Sequence, residues 1–431
     1  MALVVTGLVS LLVDFGIGIG LVQFECIEGE SLNDRFRSGF FFTCASGFIA
    51  SILMFFPMSY VISWFYHEEA LVNISKLLSI NVLVNSLSII PAANLTRDLK
   101  FKELAIADIL SVFLGAIAAV IVAYLGGGIW SLITLQLVSV SAKMLSLWFF
   151  CGFAILKGIY SFGLMTELLS FGIKVLGTRL LFFIRTNFDS VLIGSILGAN
   201  MLGIYTLAFT ITETLRSQIA GIISRVMLPI YSRMQNDSHG IAILYLKVTR
   251  LMTLTMFPFF ITIVLYSKDI IEMLFSSEWS SAAFPAALLA VSGLIYSVSG
   301  PSIEVLQGIG RPSAILRISF INLIFVAMPL TWYLTYRYGV IGSSVAVIAS
   351  FAFQRTLSHL KLKSILNITE IDIFVAILPS IIGLIICYIF YIIFDDNYGV
   401  LIKGAFNFIV FIVISTICFK HQINQQFSKG I

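Results

Sequence analysis

The chain has 431 residues, of which 59% are hydrophobic and only 11% charged, with a formal net charge of +4. Soluble globular chains carry about 25% charged residues, so a polar surface cannot be assembled here and the apolar excess has to face lipid. This composition excludes a disordered chain, a disulfide scaffold and a free nucleic-acid binder, and no nucleic-acid partner is expected.

In chain order, apolar runs of helical length fall near 2–22, 39–65, 74–95, 104–125, 127–151, 163–196, 199–235, 243–267, 280–308, 313–336, 340–363, 372–395 and 399–419, thirteen in all. A bilayer core about 30 Å thick is crossed by roughly 20 helical residues. Runs such as Leu104 to Tyr124 lack the period-two alternation of a membrane barrel. The expected fold is therefore an all-α integral membrane protein. The polar stretch from Phe24 to Ser38 is the longest obvious connection, too short for a soluble catalytic domain. With no phosphate-binding G-x-x-x-x-G-K-[ST] loop either, neither enzyme activity nor ATP hydrolysis is expected.

Cys26, Cys44, Cys151, Cys387 and Cys418 form no C-x-x-C pair. His67, His239, His359 and His421 fall at span ends, so no metal site, disulfide or cofactor is expected. Trp130, Trp148, Trp279 and Trp332 lie near span ends, as interfacial anchors do. Lysine and arginine collect at alternate ends, 15 on one side against 4 on the other, which puts the loops around 23–38, 96–103, 152–162, 233–247, 309–317 and 361–371 and the C-terminus in the cytoplasm. Thirteen spans then place Met1 outside, directly before an apolar run.

Ionisable groups inside spans are costly and face a bundle interior or a wet cavity. The 163–196 span carries Glu167, Lys174, Arg179, Arg185 and Asp189. At about 100° per residue, all but Arg179 share one face, and Arg179 lies roughly 140° from Lys174. The next span adds Glu213 and Arg216 at i,i+3, and Arg225. Lys174, Arg179, Arg185, Arg216 and Arg225 outnumber the acids and are candidates to bind an anionic passenger. The alternative is that acids and bases pair and only fix helix packing. Asp14, in the first span, is a coupling-ion candidate or a structural acid able to pair with one of these arginines. Glu304 follows Pro301, which bends its helix either beside a cavity or for packing. Asp189 and Glu213 carry the same choice between coupling and structure. The glycines of Gly16-Ile17-Gly18-Ile19-Gly20 permit close helix approach.

Several segments resemble the polysaccharide transporter family of the multidrug/oligosaccharidyl-lipid/polysaccharide (MOP) flippase superfamily, which contains the O-antigen-unit and exopolysaccharide-unit flippases. They are Phe188-Asp189-Ser190-Val191-Leu192-Ile193-Gly194, Leu202-Gly203-Ile204-Tyr205-Thr206-Leu207-Ala208, Pro91 through Phe101, Asp14-Phe15-Gly16 with Leu21-Val22-Gln23, Gly128-Ile129-Trp130-Ser131-Leu132, Phe275 through Trp279, and Gln307 through Arg311. In order and spacing they run across most of the chain.

The resemblance implies a two-lobe bundle like that of the multidrug exporters of the superfamily, with alternating access. Residues 1–151 would form the N-terminal lobe, 163–363 the C-terminal lobe, 372–419 two additional helices and 420–431 a cytoplasmic tail. The family pattern has fourteen helices, so thirteen here imply that the first is missing, through a late start or a truncation. The implied passenger is an undecaprenyl-pyrophosphate-linked oligosaccharide, moved across the bacterial inner membrane for O-antigen, exopolysaccharide or capsule synthesis. Membrane lipids, a polysaccharide polymerase and chain-length machinery are candidate partners. A cation-coupled multidrug antiporter of the same superfamily is the first rival. The basic surplus argues against a lumen for cations. A membrane-embedded glycosyltransferase or ligase is the second, disfavoured by the short external loops.

Overall fold

The computed structural model describes residues 2–23, 32–152, 157–393, 404, 406, 408–411 and 413. Its regular elements are helices: α1 (Ala2–Asp14), α2 (Ile17–Gln23), α3 (Leu32–Leu53), α4 (Ser59–Tyr66), α5 (Ala70–Arg97), α6 (Phe101–Tyr124), α7 (Trp130–Cys151), α8 (Phe162–Arg233), α9 (Ser238–Phe275), α10 (Ala283–Gly308), α11 (Pro312–Asn322), α12 (Met328–Leu366) and α13 (Glu370–Ile393). π-Helical turns at Met54–Met58 and Leu323–Ala327 join α3 to α4 and α11 to α12.

Among the described residues, nine helices are long and apolar enough to cross a membrane. Two of these run for 72 and 54 residues, about 108 and 81 Å at 1.5 Å per residue, too long for single crossings. Each leaves helical geometry once, at Gly198 (φ 84°) and at Gly339 (φ 61°), where the sequence pattern ends one span and begins the next. A left-handed φ costs glycine nothing and other residues more, which is why the breaks fall there. Counting the halves separately and adding the broken 2–23 helix, twelve of the thirteen expected spans are helical. Most of the thirteenth, 399–419, lies outside the described residues.

Three expectations are corrected. The 2–22 span is not continuous, because Phe15 (φ 47°) and Gly16 (φ 72°) interrupt it. The 24–38 stretch is not all connection. Helix α3 begins at Leu32, and Arg35 is only 1% exposed, its guanidinium 3.3 Å from Glu167. An ion partner 132 positions away turns a residue that reads as loop into the interior of a helix. Trp148 does not anchor at an interface but is buried, its Nε1 donating to the Leu87 carbonyl at 3.0 Å.

By contacts the chain divides into Met1–Asn187 and Phe188–Ile431. Within the first unit, Glu167 and Arg179 of α8 are tied by ion pairs to Arg35 and Asp14. In that unit α5 packs against α1, α2, α3, α4 and α7, and α6 lies along α7. Lipid supplies no hydrophobic drive between helices, so small residues permit their close approach. A Cβ on Gly47 of α3 would come within 2.2 Å of the Ser86 hydroxyl of α5. In the second unit α10 packs between α9 and α12, with α13 against α9. The Phe260 ring there fills the space a side chain at Gly293 would take.

Candidate functional site

Within the first unit, α1 stops at Asp14 because the next two residues adopt left-handed backbone. The break frees the first N–H groups of α2, and Asp14 satisfies one of them: its Oδ1 accepts from the Gly18 amide at 3.1 Å. Its other oxygen takes the guanidinium of Arg179 on α8. A Cβ on Gly172 would lie 2.0 Å from the Phe15 carbonyl oxygen, so α8 reaches the break only because that position is glycine.

Beside this ion pair is a cavity of about 530 Å³. Ser10, Asn85 and Thr186 add polar groups to Asp14 and Arg179, and Leu11, Ile89, Phe182 and Phe183 make the apolar remainder. Arg179 is 38% exposed and Asp14 16%, so the guanidinium keeps an open side. A planar donor fork flanked by aromatic rings suits a carboxylate or phosphate.

The other expected residues are placed as follows. Glu167 pairs with Arg35, outside the cavity lining. Arg179, the residue off the shared face, is the cation that meets Asp14. The break between α1 and α2 delivers that acid to this side of α8. Arg185 is half-buried on α8, and the side chain of Lys174 lies outside the described residues. Arg225 is exposed and donates from Nε to the Gly221 carbonyl of its own helix at 3.1 Å.

Within the second unit, Asp189 is buried and accepts from the Tyr205 hydroxyl and from the Ser190 amide at 2.8 Å. Tyr205 is fully buried and stacks on Phe209 with centroids 5.9 Å apart. Glu213 and Arg216 pair one turn apart. The Arg216 guanidinium also sits 5.1 Å from the Tyr296 ring centre and 4.5 Å from that of Phe351, a cation–π contact with both. The space around it is about 10 Å³, too little for a passenger group. Asp189, Glu213 and Arg216 thus each have a partner in this packing. Tyr205→Phe removes the hydroxyl and leaves a buried carboxyl oxygen of Asp189 unmatched, a loss of about 1–3 kcal/mol. We expect a lower Tm for the purified variant, and an unchanged Tm would show that the bond carries no stability.

Sequence reasoning missed Arg35, Tyr205 and the ring pair Tyr296 and Phe351. Arg35 has polar neighbours, Asp34 and Arg37, that look no different locally. Glu304, by contrast, is buried on α10, and its Oε2 has no hydrogen-bond partner among the described residues.

A family model described as "Polysaccharide biosynthesis protein" matches residues 1–284. The teichuronic acid biosynthesis protein TuaB of Bacillus subtilis (strain 168) is 26% identical over 308 residues, 70% of this chain and 62% of that protein. The chain therefore spans less than two thirds of that relative. Among solved structures, the fold is similar to the lipid II flippase MurJ in an inward closed conformation, at a TM-score of 0.79 and 16% identity, covering 97% of this chain and 90% of that one. It is also similar to an inward-facing multidrug resistance MATE family transporter of the MOP superfamily, at a TM-score of 0.69 and 13% identity, covering 85% and 90%. The expected MOP-type helical fold is the one observed. With its family model covering about two thirds of its length, the chain belongs to the polysaccharide biosynthesis protein family, and it is a multi-pass helical membrane protein.

Proposed function

We propose that this protein is a flippase that moves an undecaprenyl-pyrophosphate-linked oligosaccharide across a bacterial inner membrane, by alternating access and without ATP hydrolysis, for O-antigen, exopolysaccharide or capsule synthesis. The observation that carries this reading is the cavity holding the Asp14–Arg179 pair. It is an apolar-walled space with one arginine whose carboxylate partner a phosphate or an acidic sugar can replace. A relative in teichuronic acid biosynthesis, and a fold shared with a lipid II flippase, support a lipid-borne saccharide as passenger. Thirteen crossings with a cytoplasmic C-terminus, the lobes at 1–151 and 163–363, and Lys174 and Arg185 as further cations near the passenger belong to the same reading. Polymerase and chain-length machinery would take up the product on the outer side.

The structural similarity to a multidrug transporter makes cation export the competing activity. Proteoliposomes separate the two. We expect the purified protein to bring a lipid-linked oligosaccharide within reach of an external glycosidase while leaving a cationic dye gradient untouched. Dye movement without saccharide transfer would overturn the proposal.

A further inference from the structure

We propose that the carboxyl of Glu304 is a proton-binding site of this transporter, held neutral in the packing seen here and ionised when α10 moves. The site is an interior one. Glu304 is 6% exposed, and along the same stretch of α10 Ser302, Val305 and Leu306 are buried at 2%, 0% and 1%. Its Oε2 has no hydrogen-bond partner, and no lysine, arginine or histidine among the described residues lies within ion-pair distance of it. The other helix-borne acids described above each have a side-chain partner: Asp14 has Arg179, Glu167 has Arg35 and Glu213 has Arg216 as ion pairs, and Asp189 accepts from the Tyr205 hydroxyl. An ionised carboxylate is costly in so buried a place, whereas a proton removes the charge at once.

Groups on the neighbouring elements leave the carboxyl to itself. From α8, the Tyr231 hydroxyl is likewise buried without a hydrogen-bond partner among the described residues. From α9, the Tyr245 hydroxyl is taken by Ser302 at 3.1 Å, and Arg250 donates to the Ala376 carbonyl at 3.2 Å. From α12, Arg355 and His359 both engage Glu370 of α13, at 2.6 and 3.3 Å. Arg317 of α11 is exposed.

The means of exposing the carboxyl lies one turn earlier. Pro301 has no N–H for the carbonyl of Ser297, so α10 is a hydrogen bond short there and can bend. Closure at the other side is tight, since a Cβ on Gly308 would come within 2.5 Å of the Tyr231 Cβ. In the closed packing an O–H bond on the carboxyl holds one proton. Bending at Pro301 returns that proton to water and leaves a solvated carboxylate.

What the proton does rests on the transport reading above, while the protonation itself does not, and two measurements keep these apart. The first is infrared difference spectroscopy of the full chain in liposomes at neutral pH. Wild type should show a deuterium-sensitive carboxylic-acid carbonyl band that Glu304→Gln removes. If the glutamine variant does not insert, Glu304→Asp takes its place and must shift the band. A band unchanged in the inserted variant, or absent from wild type, would overturn the assignment. The second is saccharide transfer under an imposed pH gradient. For one coupled proton the transfer ratio should change about tenfold per pH unit in wild type and stay flat in Glu304→Gln. Wild-type and variant ratios that respond alike would overturn Glu304 as the coupling site. If wild type transfers no saccharide at all, the transport reading fails and the band alone decides the proton site.

Discussion

Replacing Arg179 by glutamine is expected to slow export of the lipid-linked saccharide at least tenfold, and replacing it by glutamate to abolish export. A charge-assisted hydrogen bond contributes about 1.5–3 kcal/mol, which corresponds to roughly a tenfold to hundredfold change in affinity. Arg179 is positioned to spend that energy on a passenger because its carboxylate partner, Asp14, is on the cavity wall and displaceable. Glutamate would set a second carboxylate beside Asp14, and the site would then repel phosphate. Asp14→Asn should act in the opposite sense. With its competitor neutralised, Arg179 holds the passenger more tightly, so KM falls and the maximal rate falls with it as release slows. The double variant Asp14→Asn with Arg179→Gln separates function from folding, since it leaves no uncompensated charge. It should insert and accumulate as wild type does while remaining inactive. Wild-type export by Arg179→Gln would remove the arginine from the mechanism.

The largest effect on stability is expected at Gly172. Even alanine there would put a Cβ 2.0 Å from the Phe15 carbonyl oxygen, and backbone on both sides cannot yield as a flexible side chain does. Overpacking of this kind costs about 1–3 kcal/mol, and leucine should exceed it by driving α8 off the α1–α2 break. Since that contact also carries Arg179 to Asp14, the ion pair and the cavity should be lost together. Gly177 is the internal control. It lies on the same helix with no described atom within 4 Å of an added Cβ, and glycine to alanine in a helix gains up to about 1 kcal/mol. Thermal unfolding of Gly172→Ala, Gly172→Leu and Gly177→Ala should therefore rank with the leucine variant lowest and Gly177→Ala at or above wild type. Equal Tm values for the two alanine variants would show that α8 does not need the close approach.

How much of this could be read from the sequence depends on the range over which each property is set. Helix existence follows from hydropathy and backbone self-satisfaction over some twenty consecutive residues. Twelve expected spans accordingly reappear, with the joins at Gly198 and Gly339 within a few residues of their expected places. The charged residues that matter were also visible, because few polar side chains survive within apolar runs. The Glu213–Arg216 pair and an arginine partner for Asp14 were open to reading as well, but which arginine meets Asp14, and the partner of Glu167, were not. Arg35 and Glu167 stand 132 positions apart, and Asp14 and Arg179 stand 165 apart.

The sequence by itself determined that this is a membrane-embedded helical protein with a cationic surplus in two adjacent spans and isolated acids at Asp14 and Glu304. Those are properties of composition and of local apolar length. Only the tertiary structure decided which cation lines a cavity, which are held by neighbouring rings and acids, and which acid keeps a buried oxygen without a partner among the described residues. The left-handed break at Phe15–Gly16 and the absence of a side chain at Gly172 bring Arg179, the residue off the shared face, onto Asp14. Ring contacts close around Arg216, and the packing around α10 buries Glu304 with its Oε2 unpartnered among the described residues. Each outcome turns on contacts of a few ångströms between distant positions, which no helical periodicity encodes.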